Sequence, residues 1–237
     1  MSYPPWNPVK SAISAIGALL SRWNLIDGDR ARRVADLSWP RVVTGIARMS
    51  KSTADLAMVG TALGAAAVAG VGYAIPFWAL AFMLGGGIAG GTISLVSQRY
   101  GAGEDDAASV AVKVSAVFAL IVTLPLVVLF WTFPEALIRL LGAGDEAVAY
   151  GARYLQIASL AMPFGALNVV SSRALVGADD AATPMAIRAG AAVANIGLNA
   201  VLIFVFDMGV VGAAIGTLTA NAVGTCAFAW GLTAGRL

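Results

Sequence analysis

The chain contains no histidine and one cysteine, Cys226, among its 237 residues. Those two shortages exclude Ser-His-Asp and Cys-His catalysis, histidine-ligated zinc and any internal disulfide. Charge is scarce as well: Asp, Glu, Lys and Arg make up 12% of the residues, about half the ~25% of an average soluble domain. The formal net charge of +2 is too small to imply a nucleic-acid partner. What is there is apolar. Hydrophobic residues reach 59% and the mean hydropathy is +0.82, values that exclude an ordinary cytosolic enzyme. With spans of about 20 residues each, there is room for roughly six or seven helices, which makes the fold class an all-α polytopic membrane bundle. No catalytic constellation and no cofactor motif is present, so an enzyme is not expected.

Residues 1–36 differ from the rest. Pro4, Pro5 and Pro8 precede an amphipathic run from Ser11 to Trp23, and the charge-dense Asp27-Gly28-Asp29-Arg30-Ala31-Arg32-Arg33 follows. The apolar core of that run is short, lacks a small-residue cleavage site and has basic residues on its wrong side for a secretory signal. It is expected to be an interfacial helix, with Trp6 and Trp23 at headgroup level. Residues 37–237 form the transmembrane part. Hydrophobic segments there predict spans near 38–60, 66–98, 110–132, 147–172, 183–206 and 210–234. Three punctuation motifs recur between them: Gly101-Ala102-Gly103-Glu104-Asp105-Asp106, Gly142-Ala143-Gly144-Asp145-Glu146 and Gly177-Ala178-Asp179-Asp180. Each places a helix-ending glycine before acids suited to the next helix's first turn.

The third span is the most apolar, and its Val117 to Phe130 stretch favours insertion by roughly 3 to 7 kcal/mol. The second carries Gly85, Gly86, Gly87, Gly90 and Gly91, an expected packing face that lets another helix approach closely. Pro76, Pro125 and Pro163 lie inside spans and are expected to kink them. With the N-terminus in the cytoplasm, Lys10, Arg22, Arg30, Arg32, Arg33, Arg41, Arg99, Lys113, Arg173, Arg188 and Arg236 fall on that side, against Arg139 and Arg153 outside. The positive-inside rule then favours an even number of spans, six, with both termini cytoplasmic in a multi-pass plasma-membrane protein. That count also opposes a seven-helix retinal protein.

The first span holds the residues that cost most. Arg41, Arg48, Lys51 and Asp55 share one face of an otherwise apolar helix. Three of them unpaired inside a bilayer would cost about 7 to 10 kcal/mol. Lys51 and Asp55 are four residues apart and able to pair, and Arg48 lies one heptad from Asp55. One reading is a self-compensated ion cluster that fixes helix packing. The other is a carboxylate in an aqueous cavity nearer the outer face, where it binds a cation or proton. Asn195 and Asn199 on the fifth span, and Thr217 and Asn221 on the sixth, form two pairs one turn apart. Their oxygens suit a weakly held hard cation beside one carboxylate, or else they bond helix to helix. Cys226 reads as a small packing residue.

Several stretches resemble one known family. Leu37-Ser38-Trp39-Pro40, Ala54-Asp55-Leu56-Ala57-Met58-Val59-Gly60 and the segment Leu63 to Gly72 look like the first helix and first turn of multidrug and toxic compound extrusion (MATE) transporters. Ser94 to Gly103 resembles the end of their second helix, Ala174 to Met185 their fourth-to-fifth connection, and Gly209 to Thr217 the opening of their sixth. Three Lys against twelve Arg, with paired Asp in the loops, resemble haloarchaeal variants.

The resemblance implies a secondary antiporter that exports organic cations and other amphipathic compounds in exchange for sodium or protons, with no cofactor. It implies two six-helix lobes around a central cavity, of which this chain is the N-terminal one. The expected partners are therefore membrane lipid, small amphipathic or cationic substrates, and a second lobe supplied by further chain or another copy. The abrupt end at Gly231 to Leu237 favours truncation. Carried over, the family's cation site falls on Asp55, Asn195, Asn199 and Thr217, with Arg48, Lys51 and Asn221 as modulators. Many relatives have Asp at the position of Asn199, so this site has one carboxylate and, in Lys51, a fixed competing cation. A lipid-linked saccharide flippase, which would normally show more basic residues in the cavity and is kept open by Arg41, Arg48 and Lys51, and a non-transporting membrane scaffold are the alternative readings.

Overall fold

The computed structural model describes residues 8–23 and 27–235. Trp6 and Arg236, and the side chains of Lys10, Arg32 and Arg41, lie outside the described residues. The elements are helices: α1 (Pro8–Arg22), α2 (Gly28–Leu63), α3 (Ala65–Gly101), α4 (Asp105–Thr132), α5 (Pro134–Leu140), α6 (Asp145–Ser159), α7 (Met162–Gly177), α8 (Ala182–Ala200) running into a π turn (Val201–Val205), and α9 (Gly209–Gly235). α3 is the central strut and packs most extensively on α7, α6 and α4; α2 lies along α8, and α9 closes the bundle against α8, α7 and α6.

Among the described residues, four helices are long and apolar enough to cross a bilayer: α3, α4, α8 with its π turn, and α9. The pair α6 and α7, bent by 52°, makes a fifth if it is one span. α2 is long enough at 36 residues, but its ionic stripe keeps it from qualifying on composition. It also begins earlier than the span expected at 38–60 and runs through residues 36 and 37 without a break.

The loop motifs behave as their chemistry dictates. Gly103 and Gly142 adopt φ of 76° and 80°, the left-handed region that glycine enters without a Cβ penalty. Asp105 and Asp106 open α4, and Asp145 and Glu146 open α6. Asp180 accepts from the backbone N–H groups of Ala182 and Thr183 at 3.1 and 2.9 Å, satisfying donors that α8 cannot use. α5 was not expected. Its local signals are Pro134 at the start, Glu135 in the first turn and Arg139 in the last, an arrangement that complements the helix dipole.

Proline acts differently at its three interior positions. Pro76 and Pro125 sit inside α3 and α4. Pro163 instead occupies the first turn of α7, where its missing N–H breaks no helical bond. The expected span at 147–172 is therefore interrupted, at Leu160 and Ala161.

Packing follows membrane rather than aqueous logic. On α4, Val110, Val114, Val117, Phe118, Ile121, Leu124 and Val128 point outward, while Ala108, Ser115, Ala119 and Thr123 are buried. Where lipid is the solvent, small residues go to the helix contacts because close backbone approach supplies the attraction. The expected face Gly85, Gly86, Gly87, Gly90 and Gly91 does not make such an approach within this chain. Only Gly85 has a neighbour, Ala166, and a Cβ at the other four would meet nothing within 4 Å. The tight crossing is at Gly70 of α3 and Gly151 of α6, where a Cβ on Gly70 would lie 2.5 Å from the Ala147 carbonyl oxygen.

Gly70→Ala and Gly151→Ala should each lower stability by about 1 to 3 kcal/mol through overpacking. Gly72→Ala, which meets open space, should be near neutral. Thermal unfolding of the three variants in one detergent distinguishes them; equal behaviour would remove the crossing as a constraint.

Candidate functional site

Asp55 lies eight residues before the end of α2, about 12 Å by helical rise. Asn199 is the penultimate residue of α8, and Thr217 lies eight residues into α9. Because α2 packs along α8 and α8 against α9, with α2 and α8 running the same way and α9 returning, all three come to one level of the bundle. Of the stripe on α2, Lys51 and Asp55 turn toward the bundle there, and the apolar residues Val42, Ile46 and Met49 are exposed.

The Lys51 ammonium pairs with Asp55 Oδ2 at 2.5 Å. Asn199 Nδ2 donates to Asp55 Oδ1 at 2.7 Å and to Asn195 Oδ1 at 3.3 Å. Asn195 and Asn199 are fully buried and Thr217 is 2% exposed, whereas the side chains of Lys51 and Asp55 retain 24% and 14% exposure. The carboxylate is therefore flanked by a tethered cation on one side and an amide on the other, at the edge of a cluster of buried polar side chains. A shallow groove of about 520 Å³ runs along the opposite face of α2 beside Ile46, Met49 and Thr53, and Asp55 is not in its lining.

Three buried polar atoms in this cluster have no hydrogen-bond partner: Asn195 Nδ2, Asn199 Oδ1 and Thr217 Oγ1. Such atoms cost about 1 to 3 kcal/mol each, so their concentration around one carboxylate is informative. Rotating the Asn199 amide would present its oxygen to a cation beside Asp55. With Asn195 Oδ1 and Thr217 Oγ1 that makes an all-oxygen donor set, the kind hard cations take. Among the described residues no group of three or more His, Cys, Asp or Glu side chains comes together to hold a metal ion.

Two further residues complete the site. Gly216 on α9 leaves the space that Asn199 fills, since a Cβ there would lie 1.7 Å from Asn199 Oδ1. Tyr154 of α6 is buried beside Thr217 and within electrostatic reach of Asp55. No spacing in the sequence singles out Tyr154; the α6 to α9 contact alone brings it in.

The other expected modulators are elsewhere. Arg48 is exposed, and the ion partner of Asp55 is Lys51. Asn221 donates to the Thr217 carbonyl at 2.8 Å, and its own carbonyl accepts from Asn168 Nδ2 at 3.0 Å. Thr225 donates to Asn168 Oδ1 at 2.9 Å. Asn221 therefore belongs to a polar tie between α7 and α9, one turn from the carboxylate cluster. Cys226 is exposed rather than packed inside.

Gly216→Ala should cost about 1 to 3 kcal/mol by driving Asn199 off Asp55. Adding Asn199→Ala should recover most of that loss, because the clashing atom is gone. A double-mutant cycle on unfolding temperatures reads the coupling, and strict additivity would disprove the contact.

Comparison with known proteins places the chain in a family. Residues 40–201 match the MatE family. The probable multidrug resistance protein YoeA of Bacillus subtilis is 29% identical over 76% of this chain and 40% of its own length. YpnP, a probable multidrug resistance protein of the same organism, is 29% identical over 90% of this chain and 47% of its own. A solved MOP-superfamily transporter from Pyrococcus furiosus superposes with a TM-score of 0.79 at 27% identity, covering 86% of this chain and 45% of that one. The chain thus spans less than half the length of these relatives. Because the MatE match runs over more than half of the chain, the chain belongs to the MatE family.

Proposed function

We propose that this chain is one lobe of a secondary active antiporter that exports amphipathic or cationic compounds against an inward sodium or proton gradient. In this reading α2 joins the five apolar spans to make six, α1 lies at the interface with residues 1–36, and residues 37–237 are the lobe. Both termini face the cytoplasm across a plasma membrane. A second lobe, from further chain or another copy, completes the central cavity. The names of the relatives support drug export, and their greater length supports a second lobe.

The observation that carries the reading is the carboxylate of Asp55, held between Lys51 and Asn199 and surrounded by unsatisfied buried polar atoms. A purely structural ion pair would call for full satisfaction of its neighbours. Asp55 and Lys51 neutralise each other, so a sodium ion must displace an ammonium tethered one helical turn away. A proton needs only to reach Oδ2. Protonation there cancels the attraction, frees the Lys51 ammonium and leaves an uncompensated charge at the edge of an apolar bundle. That change in energy is what biases one lobe conformation against the other. Coupling in this chain is accordingly assigned to protonation of Asp55 with release of Lys51.

In proteoliposomes, export of a lipophilic cationic dye should require an imposed ion gradient, and Asp55→Asn should lower gradient-driven export by at least about tenfold, the equivalent of ~1.4 kcal/mol. Export by Asp55→Asn that stays fully gradient-dependent would refute the assignment. Lys51→Met should make the purified chain more responsive to sodium, seen as a larger sodium-dependent rise in unfolding temperature. No change in that response would show that Lys51 does not compete for the carboxylate.

A further inference from the structure

Away from the carboxylate cluster, Arg188 is a second buried polar group without a match. Arg188 of α8 is largely buried, and its Nε is fully buried without a hydrogen-bond partner. Arg173 of α7 and Arg48 of α2, both exposed, lie close enough for their charges to oppose that of Arg188. Among the described residues no carboxylate pairs with any of the three. Two other arginines are treated differently: Arg99 is matched by Glu104 at 2.6 Å and Arg139 by Asp145 at 2.6 Å. Like charges drawn together beside a buried guanidinium repel, and unpaired ionisable groups in a membrane bundle are expensive. The missing component is an anion.

The position says which kind. Arg173 is four residues from the end of α7 and Arg188 six beyond the first residue of α8, so both flank the α7–α8 turn. α8 packs along α2, which brings Arg48 to the same side. That end of the bundle also holds Arg99 and Lys113, and an excess of Lys and Arg marks the cytoplasmic face, where anionic lipids lie. Guanidinium forks match the tetrahedral oxygens of a phosphate, two bonds at a time. We propose that Arg48, Arg173 and Arg188 form a binding site for a phosphate group, carried by an anionic lipid headgroup or by a soluble phosphate, beside the α7–α8 turn. The site is separate from Asp55 and stands whether or not the antiport reading does.

Unfolding temperatures of the purified chain in a neutral detergent test it, with short-chain phosphatidylglycerol, short-chain phosphatidylcholine and inorganic phosphate as separate titrants. Phosphatidylglycerol, inorganic phosphate or both should raise the unfolding temperature saturably, and phosphatidylcholine should not. Response to both anions identifies the phosphate itself as the ligand; response to the lipid alone identifies a headgroup held together with its acyl chains. Arg188→Gln and Arg173→Gln should each raise the half-saturating concentration about fivefold, corresponding to ~1 kcal/mol per arginine near the membrane surface. Arg99→Gln should leave it unchanged. If Arg188→Gln does not fold, Arg173→Gln at its exposed position carries the test alone. Absence of saturable stabilisation by either anion overturns the proposal, as does an unchanged half-saturating concentration in the variants that fold.

Discussion

A carboxylate inside an apolar helix bundle must be matched by charge, by hydrogen bonds or by water, and the rest of this structure is arranged around how Asp55 meets that demand. Lys51 supplies the charge and Asn199 the hydrogen bond. Asn199 is free to reach it because Gly216 withholds a side chain from the same space. The π turn at Val201–Val205 begins two residues after Asn199, and such local widening of a helix is frequent next to functional groups. The match is incomplete on the buried side, where three polar atoms stay unsatisfied, and the carboxylate edge stays partly open. A site that is neither sealed nor fully hydrated is one whose occupancy is able to change.

The scaffold holding this site is built for a lipid solvent. Large aliphatic side chains on α4 turn outward and alanine, serine and threonine turn inward, the reverse of a water-soluble helix. Attraction between helices then depends on how closely their backbones approach. Gly70 and Gly151 provide that approach where α3 crosses α6. Gly86, Gly87, Gly90 and Gly91 leave a stretch of α3 with nothing against it in this chain, and Val42, Ile46 and Met49 leave an apolar face on α2.

Basic residues follow two rules at once. Arg99 and Arg139 sit at helix ends with a carboxylate each, where such exposed pairs contribute little to stability. Lys51 is tied to Asp55, one turn along its own helix. Arg188 obeys neither pattern: its Nε is buried without a partner, and the charges nearest it are those of Arg173 and Arg48. Charge left uncompensated inside a membrane protein marks a place where something else binds.

Much of this was legible in the residues. Hydrophobic runs placed the apolar helices to within a few positions, since lipid imposes one long, uniform pattern on each span. The glycine and acid punctuation placed the loops, because those residues satisfy local backbone demands that depend on no neighbour. Asp55, Lys51, Asn195, Asn199 and Thr217 could be named from helical spacing and family likeness, because polar groups stand out against an apolar background. What could not be read was which faces meet. Helical spacing puts Thr217 and Asn221 on one face, yet only the packing of α9 against α7 sends Asn221 to Asn168. Gly70 and Gly151 carry no more signal than Gly86 and Gly87. Tyr154 and Gly216 join the site, and Arg48 comes within electrostatic reach of Arg188, through packing between helices distant in the chain. Periodicity specifies how a helix is facing relative to itself; the choice of partner for each face is settled by steric fit among all of them together.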